Sequence, residues 1–317
     1  MNVFLSRASV ELVEYCDNYG TFFKMKQGML GKIAMNYRIS DCCDLAPAQL
    51  CAAMNAAFSD YVIPLKLSET AFRTFQRQRG FSAEHSFVAR QGDDIAAFWF
   101  SGKPRAEYGS LAYTLSVGTL PDHRRKGLSR QLLDAVTAQQ RLSGSKGLQL
   151  EVITTNEAAI SSYEAMGFYR HRTLRVLKLS SEPASQSLDY VPHPLDLSRI
   201  PTETDGFFDT EPTPQNGRCA LQALSPDHHL LGIEVEGELL GWGAVYPDGA
   251  VAQIAVHHSV RRKGLGRAIL RALWQAAGED ALTFVNVDES AATQNGFLEH
   301  VGAQELLQQY EMQLRFS

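Results

Sequence analysis

The hexapeptide Arg124-Arg125-Lys126-Gly127-Leu128-Ser129 returns as Arg261-Arg262-Lys263-Gly264-Leu265-Gly266. A chain that repeats itself has to be read first as copies of one supersecondary plan. The surroundings of the hexapeptide repeat as well. A β-rich apolar segment precedes each copy, 111–120 and 251–256. A helical pattern follows, with Leu128, Leu132 and Val136 on one face in the first copy and Leu265, Ile269 and Leu273 in the second. A further strand comes next, 148–153 and 282–287, and a short helix and a last strand close each copy. Upstream, two apolar runs flank a Gly-containing turn at 91–94 and again at 236–238, the mark of a hairpin.

The 317 residues suffice for two domains of ordinary size. The polar, aperiodic stretch 180–188 reads as a linker. The chain therefore divides into an extension 1–36, a first domain 37–179, the linker, and a second domain 189–317. The element order predicts an α/β (α+β) fold twice over, each copy a mixed, mostly antiparallel sheet flanked by helices. The first copy also carries two helices before its hairpin, at 46–58 and from Ser68 onward. Pro47 suits a first turn, and Ser68 suits an N-cap. The second copy has Pro-rich, acidic loops there.

Composition narrows the function. A net charge of -5 does not suit a nucleic-acid binder, which shows a basic stripe. No apolar run reaches membrane-spanning length. Five cysteines at irregular spacing, with no C-x-x-C pair, offer neither a disulfide framework nor a metal site, and suggest a reducing compartment, the cytoplasm.

Each hexapeptide joins a strand to a helix. First-turn amides have no partner within their helix, and the helix dipole favours negative charge there. Glycine lets a ligand approach the backbone, and the basic residues add charge. The loop is thus expected to seat a phosphate or pyrophosphate. It lacks the Gly-Lys-Ser/Thr of a nucleotide P-loop and the three-glycine spacing of a Rossmann turn, and a nucleotide-hydrolysing protein fails for want of that lysine pattern and a metal-binding acid set.

The loop resembles the pyrophosphate loop of the GNAT acetyltransferase superfamily, Gln/Arg-x-x-Gly-x-Gly/Ala. The second copy matches it fully, and the first has Ser129 at the last position. Residues 151–156 and 162–168 (Ser-Tyr-Glu-Ala-Met-Gly-Phe) also resemble the family's later segment. The resemblance covers 37–317 and implies a tandem N-acetyltransferase that uses acetyl-coenzyme A and no metal, with a small-molecule or peptide amine as acceptor. It implies direct transfer in a ternary complex, and a cleft opened by splayed central strands. The coenzyme would be held by Thr119, Leu120, Arg124, Arg125, Lys126, Gly127, Leu128, Ser129 and Asn156, and in the second copy by Val256, Arg261, Arg262, Lys263, Gly264, Leu265 and Gly266. A strand-end backbone amide would meet the oxyanion. Tyr163 would serve as the acid and Glu151 as the base, with His123 a weaker candidate. Asp60 and Tyr61 would face the substrate.

In the second copy Leu298 stands where Tyr163 does and Ala291 where Asn156 does, so the first copy is expected to be the catalytic one. The competing reading is a coenzyme-A-binding sensor or scaffold that has lost turnover.

Overall fold

The computed structural model describes residues 37–60, 66–185 and 190–317. The 1–36 extension and Tyr61 lie outside them.

Copy one opens with β1 (Arg38–Asp41), then α1 (Pro47–Ala57) and α2 (Glu69–Arg79). Pro47 begins α1, and the Ser68 hydroxyl caps α2 by accepting from the Ala71 amide at 3.1 Å. The hairpin of β2 (Phe87–Gln91) and β3 (Asp94–Arg105) follows, then β4 (Leu111–Thr119), α3 (Leu128–Leu142), β5 (Gly147–Ile153), α4 (Glu157–Ala165) and β6 (Tyr169–Leu179). Copy two runs β7 (His193–Pro194), α5 (Arg218–Leu224), β8 (His229–Val235), β9 (Glu238–Val245), β10 (Ala250–Val256), α6 (Leu265–Ala277), β11 (Leu282–Asp288), α7 (Ala292–His300) and β12 (Gln304–Arg315). The loops expected in place of α1 and α2 hold 3-10 turns and the short helix α5, which packs on α2. The apolar positions of α5 (Ala220, Leu221 and Leu224) are buried against the sheet, although its seven residues are too few to show a helical period by themselves.

All twelve strands form one sheet, ordered β1-β2-β3-β4-β5-β12-β6-β11-β10-β9-β8-β7. The order is a palindrome if the matching strands of the two copies are exchanged. Its centre lies between β12 and β6, the closing strands, and each of these has crossed over. β12 of copy two pairs antiparallel with β5 of copy one, and β6 of copy one pairs with β11 of copy two. The division at 180–188 separates the copies in sequence but not in the sheet.

Apolar cores form on both faces. In copy one, Leu128, Leu132 and Val136 of α3 join Trp99, Leu150 and Phe168 on one face. On the other, α1 and α2 cover Phe98, Phe100 and Tyr113. In copy two, α6 packs Leu265, Ile269 and Leu273 on Phe284 and Val287, and α5 covers Trp242 and Tyr246 on the opposite face. The helical stripes read from the sequence are the ones buried.

The sheet opens at two places. β4 and β5 pair in parallel only from Leu111 to Tyr113 against Gly147 to Gln149. β10 and β11 pair only through Ala250 and Val251 against Thr283 and Phe284. Beyond these short ladders each pair separates into a gap.

Candidate active site

The hexapeptide adopts the same backbone twice. The first arginine is extended in both copies, the second is left-handed (Arg125 φ 61°, Arg262 φ 64°), and so is the glycine (Gly127 φ 74°, Gly264 φ 90°). A left-handed arginine is uncommon and marks an imposed turn. Loops of this kind turn successive amides into an anion-binding concavity. The helices begin directly afterwards, at Leu128 and Leu265, with no side-chain cap on either first turn. A Cβ built on Gly127 meets nothing within 4 Å, so the space over that loop is open. Amides, dipole and open space together suit a pyrophosphate.

The arginines divide their labour differently from the expectation. Arg124 was expected on the coenzyme, but its guanidinium is committed to protein acceptors. Nε donates to the Thr119 carbonyl at 3.2 Å, and Nη2 to the Ala57 carbonyl at 3.0 Å. Both terminal nitrogens reach the Asp60 carboxylate at 2.7 Å. Arg261 repeats the clamp on the Val256 carbonyl, the Phe207 carbonyl and Asp209. Each clamp ties the end of the strand before the gap to the segment covering that strand. Asp60, expected to hold a substrate ammonium, is instead the anionic half of the clamp. The hydrogen bond from Arg124 holds its carboxyl below the usual range. Arg125, Arg262 and Lys263 are exposed around the loops. Lys126 donates to the Asp122 carbonyl at 2.7 Å.

The strand-end amides can be sorted by ladder alternation. In an antiparallel pair, adjacent residues alternately bond the partner and face away from it. The Leu120 amide donates to Ala96 at 3.0 Å, and the His257 amide to Leu240 at 2.8 Å. Leu120 therefore spends its amide on β3 rather than on a coenzyme. Thr119 and Val256, one residue earlier, face the gaps, as the Arg124 and Arg261 bonds to their carbonyls also show.

Asn156 caps α4, its side chain accepting from the Ala159 amide at 3.2 Å. Tyr163 lies on α4 with its ring at the edge of Trp99 and tilted against Phe168, 6% exposed. Leu298 occupies the corresponding place on α7 and is fully buried. Glu151 is enclosed rather than presented to a cleft. It is 1% exposed and accepts from the Tyr113 hydroxyl at 2.8 Å. Burial and the Glu151 charge push the Tyr113 phenol well above its ordinary value. His123 shares a hydrogen bond with the Tyr37 hydroxyl at 2.9 Å.

Across β12 and β6 the buried polar row continues. Glu311 sits directly opposite Glu151, and Arg172 joins Glu311 at 2.9 Å to Asp288 at 3.0 Å. Burial opposes the charge on Arg172, but Glu311 and Asp288 outweigh it and raise its affinity for the proton. Nothing in the sequence foretold this row, because it exists only once the closing strands have crossed.

Copy two carries a cavity of about 600 Å³ at its loop, lined by Val256, Arg262, Gly264, Gly266, Phe208 and Gln294 among others. A smaller recess of about 40 Å³ shares Phe208, Ile254 and Gln294 with it and reaches into the β10–β11 gap. Its polar walls include Glu211, Gln253, Asn286 and Asp288. Among the described residues, no cluster of three or more His, Cys, Asp or Glu could hold a metal ion, and no helix is long and apolar enough to cross a membrane.

The sequence profile of the acetyltransferase (GNAT) family matches residues 52–168 and 196–303. Over 106 residues the chain is 32% identical to the [ribosomal protein bS18]-alanine N-acetyltransferase of Escherichia coli (strain K12), covering 31% of this chain and 72% of that protein. It is 36% identical over 93 residues to N-alpha-acetyltransferase 60 of Xenopus tropicalis, 27% of this chain, and spans only 35% of that relative's length. A tandem GNAT protein from the clavulanic acid biosynthesis pathway superposes with a TM-score of 0.61 at 15% identity, over 88% of this chain and 97% of that one, a likeness of fold. Both copies of the repeat fall within the family profile, and the chain belongs to the GNAT family as an N-acetyltransferase with two tandem copies of that fold.

Proposed function

We propose that the chain transfers the acetyl group of acetyl-coenzyme A directly to a primary amine within a ternary complex. The observation that carries this is the doubled seat. An uncapped helix N-terminus and a left-handed loop stand beside a gap into which a strand-edge amide, Thr119 or Val256, points. The loop amides would hold the pyrophosphate, and the pantetheine arm would enter the gap. The strand-edge amide would donate to the oxyanion as the amine adds to the thioester carbonyl.

In copy one, Tyr163 is the proposed acid for the leaving thiolate, and Asn156 fixes the start of the helix that carries it. Nothing in this scheme calls for a metal. The acceptor is a small-molecule or peptide amine. The relatives' own acceptors, an alanine of ribosomal protein bS18 among them, do not fix which. A cytoplasmic setting is consistent with the four described cysteines, Cys42, Cys43, Cys51 and Cys219, all free thiols.

The test is thiol release from acetyl-coenzyme A with a panel of amines. Tyr163→Phe is expected to lower kcat by about 10²-fold. Unchanged kcat at saturating substrate would remove the acid role from Tyr163, and no release with any amine would contradict turnover.

A further inference from the structure

The recess between β10 and β11 contains one buried acceptor that the fold leaves bare and one exposed carboxylate at its rim. Gln253, 4% exposed, donates its side-chain amide to the Asn216 carbonyl at 2.6 Å, while its buried side-chain oxygen receives no hydrogen bond. A buried acceptor left bare costs about 1–3 kcal/mol, which a ligand donor would recover. Glu211 lines the same recess as an exposed residue, and its backbone carbonyl accepts from Arg172 at 3.0 Å. The neighbouring Asp288 is already committed, to Arg172 at 3.0 Å and to the Ser290 amide and hydroxyl at 2.8 and 2.7 Å.

Glu211 is exposed at the rim of the recess, yet desolvation by the surrounding protein pushes its carboxyl above its ordinary range. Arg172 draws it down, and Glu311 and Glu107 raise it further. The free valences of the recess are thus acceptors and negative charge. An anion is repelled, and a donor-rich cation is wanted. At about 40 Å³ the recess takes an ammonium group and little more. It shares walls with the 600 Å³ cavity over the copy-two loop, so a thioester held there would end beside it.

We propose that the gap of copy two is itself an acetyl-transfer site, taking a cationic alkylamine whose ammonium group is held by Gln253 and Glu211, with Glu211 receiving its proton. This rests on the acetyl-transfer reading but not on Tyr163. The ammonium R–NH3+ gives one proton to the Glu211 carboxylate. The freed nitrogen lone pair attacks the thioester carbonyl carbon, forming the C–N bond, and the Val256 amide donates to the oxyanion. The C–S bond then breaks, and coenzyme A leaves as the thiol with the second nitrogen proton. Glu211 returns the first to solvent.

The full chain carrying Gly127→Glu, which closes the copy-one seat, is assayed for thiol release from acetyl-coenzyme A with 1,3-diaminopropane, propylamine and β-alanine, alongside calorimetric binding of acetyl-coenzyme A. The expected result is release with 1,3-diaminopropane at least tenfold faster than with β-alanine. Glu211→Gln is expected to lower it at least a hundredfold with acetyl-coenzyme A binding retained, Glu211→Asp to restore part of it, and Gly264→Glu to abolish it. A raised carboxyl loses its basic form as pH falls through that raised value. The acid limb of kcat/KM should therefore lie above the ordinary glutamate range, and Glu211→Gln should remove it. Release that survives Glu211→Gln or Gly264→Glu overturns the proposal, as does the absence of release with both alkylamines or a preference for β-alanine. If binding persists while release fails, the transfer site is lost and the coenzyme seat stands. If binding is absent, both fall.

Discussion

The first arginine of each hexapeptide shows how far a residue type can mislead about its role. Arg-Arg-Lys was legible as a positive loop for an anion, and the left-handed turn and bare helix start agree with that. Which way each guanidinium points was not legible, because the acceptors lie far off in sequence: Ala57 and Asp60 for Arg124, Phe207 and Asp209 for Arg261. The Arg261 and Asp209 side chains are 19% and 15% exposed, so their charge-assisted bonds are only partly screened. Arg261→Ala should cost about 2 kcal/mol of stability, read as a lower urea midpoint at unchanged slope. It should also weaken acetyl-coenzyme A binding by loosening the strand end. An unchanged midpoint would mean that the clamp is cosmetic. Glu151 is the opposite case. A carboxylate on a strand beside the cleft looked available as a base, but the exchanged strand β12 brings Glu311 over it and Tyr113 closes on it. The acidic run holding Glu211 was visible only as a loop, and its relation to Gln253 depends on the gap rather than on sequence spacing.

At the scale of elements, the pattern of periods read correctly. Helix stripes, both hairpins, the Ser68 cap and the strand–loop–helix order all stand in the structure, because each is decided by local sequence. The destination of the closing strands did not read out. β6 and β12 follow equivalent helices, and nothing local says whether each returns to its own copy. In the sheet, β6 has neighbours from copy two alone, β12 and β11. A fragment ending near residue 185 would leave β5 with an open edge and β6 with no partner it uses in the full chain. Such a fragment should be aggregated or dimeric, or show no cooperative thermal transition by circular dichroism. A monomeric fragment with a sharp transition would show that the exchange is dispensable.

At the scale of the whole molecule, the palindromic sheet is an internal counterpart of a two-fold dimer whose protomers have exchanged a strand. Two loops, two clamps and two gaps are thus related by one pseudo-symmetry, while the chemistry around them has diverged. Copy one keeps Asn156 at the start of α4 and Tyr163 packed against Trp99 and Phe168. Copy two keeps the fuller glycine loop and an acceptor-lined recess. The buried row from Tyr113 through Glu151, Glu311 and Arg172 to Asp288 runs from one gap to the other across the exchanged strands.

Whether the doubled loops are coenzyme seats is decided by calorimetric titration of the full chain with acetyl-coenzyme A. Saturable binding is expected at two sites per chain, one removed by Gly127→Glu and the other by Gly264→Glu, since each substitution places a carboxylate over a concavity of amides. No heat at millimolar ligand, or binding indifferent to both substitutions, would contradict it.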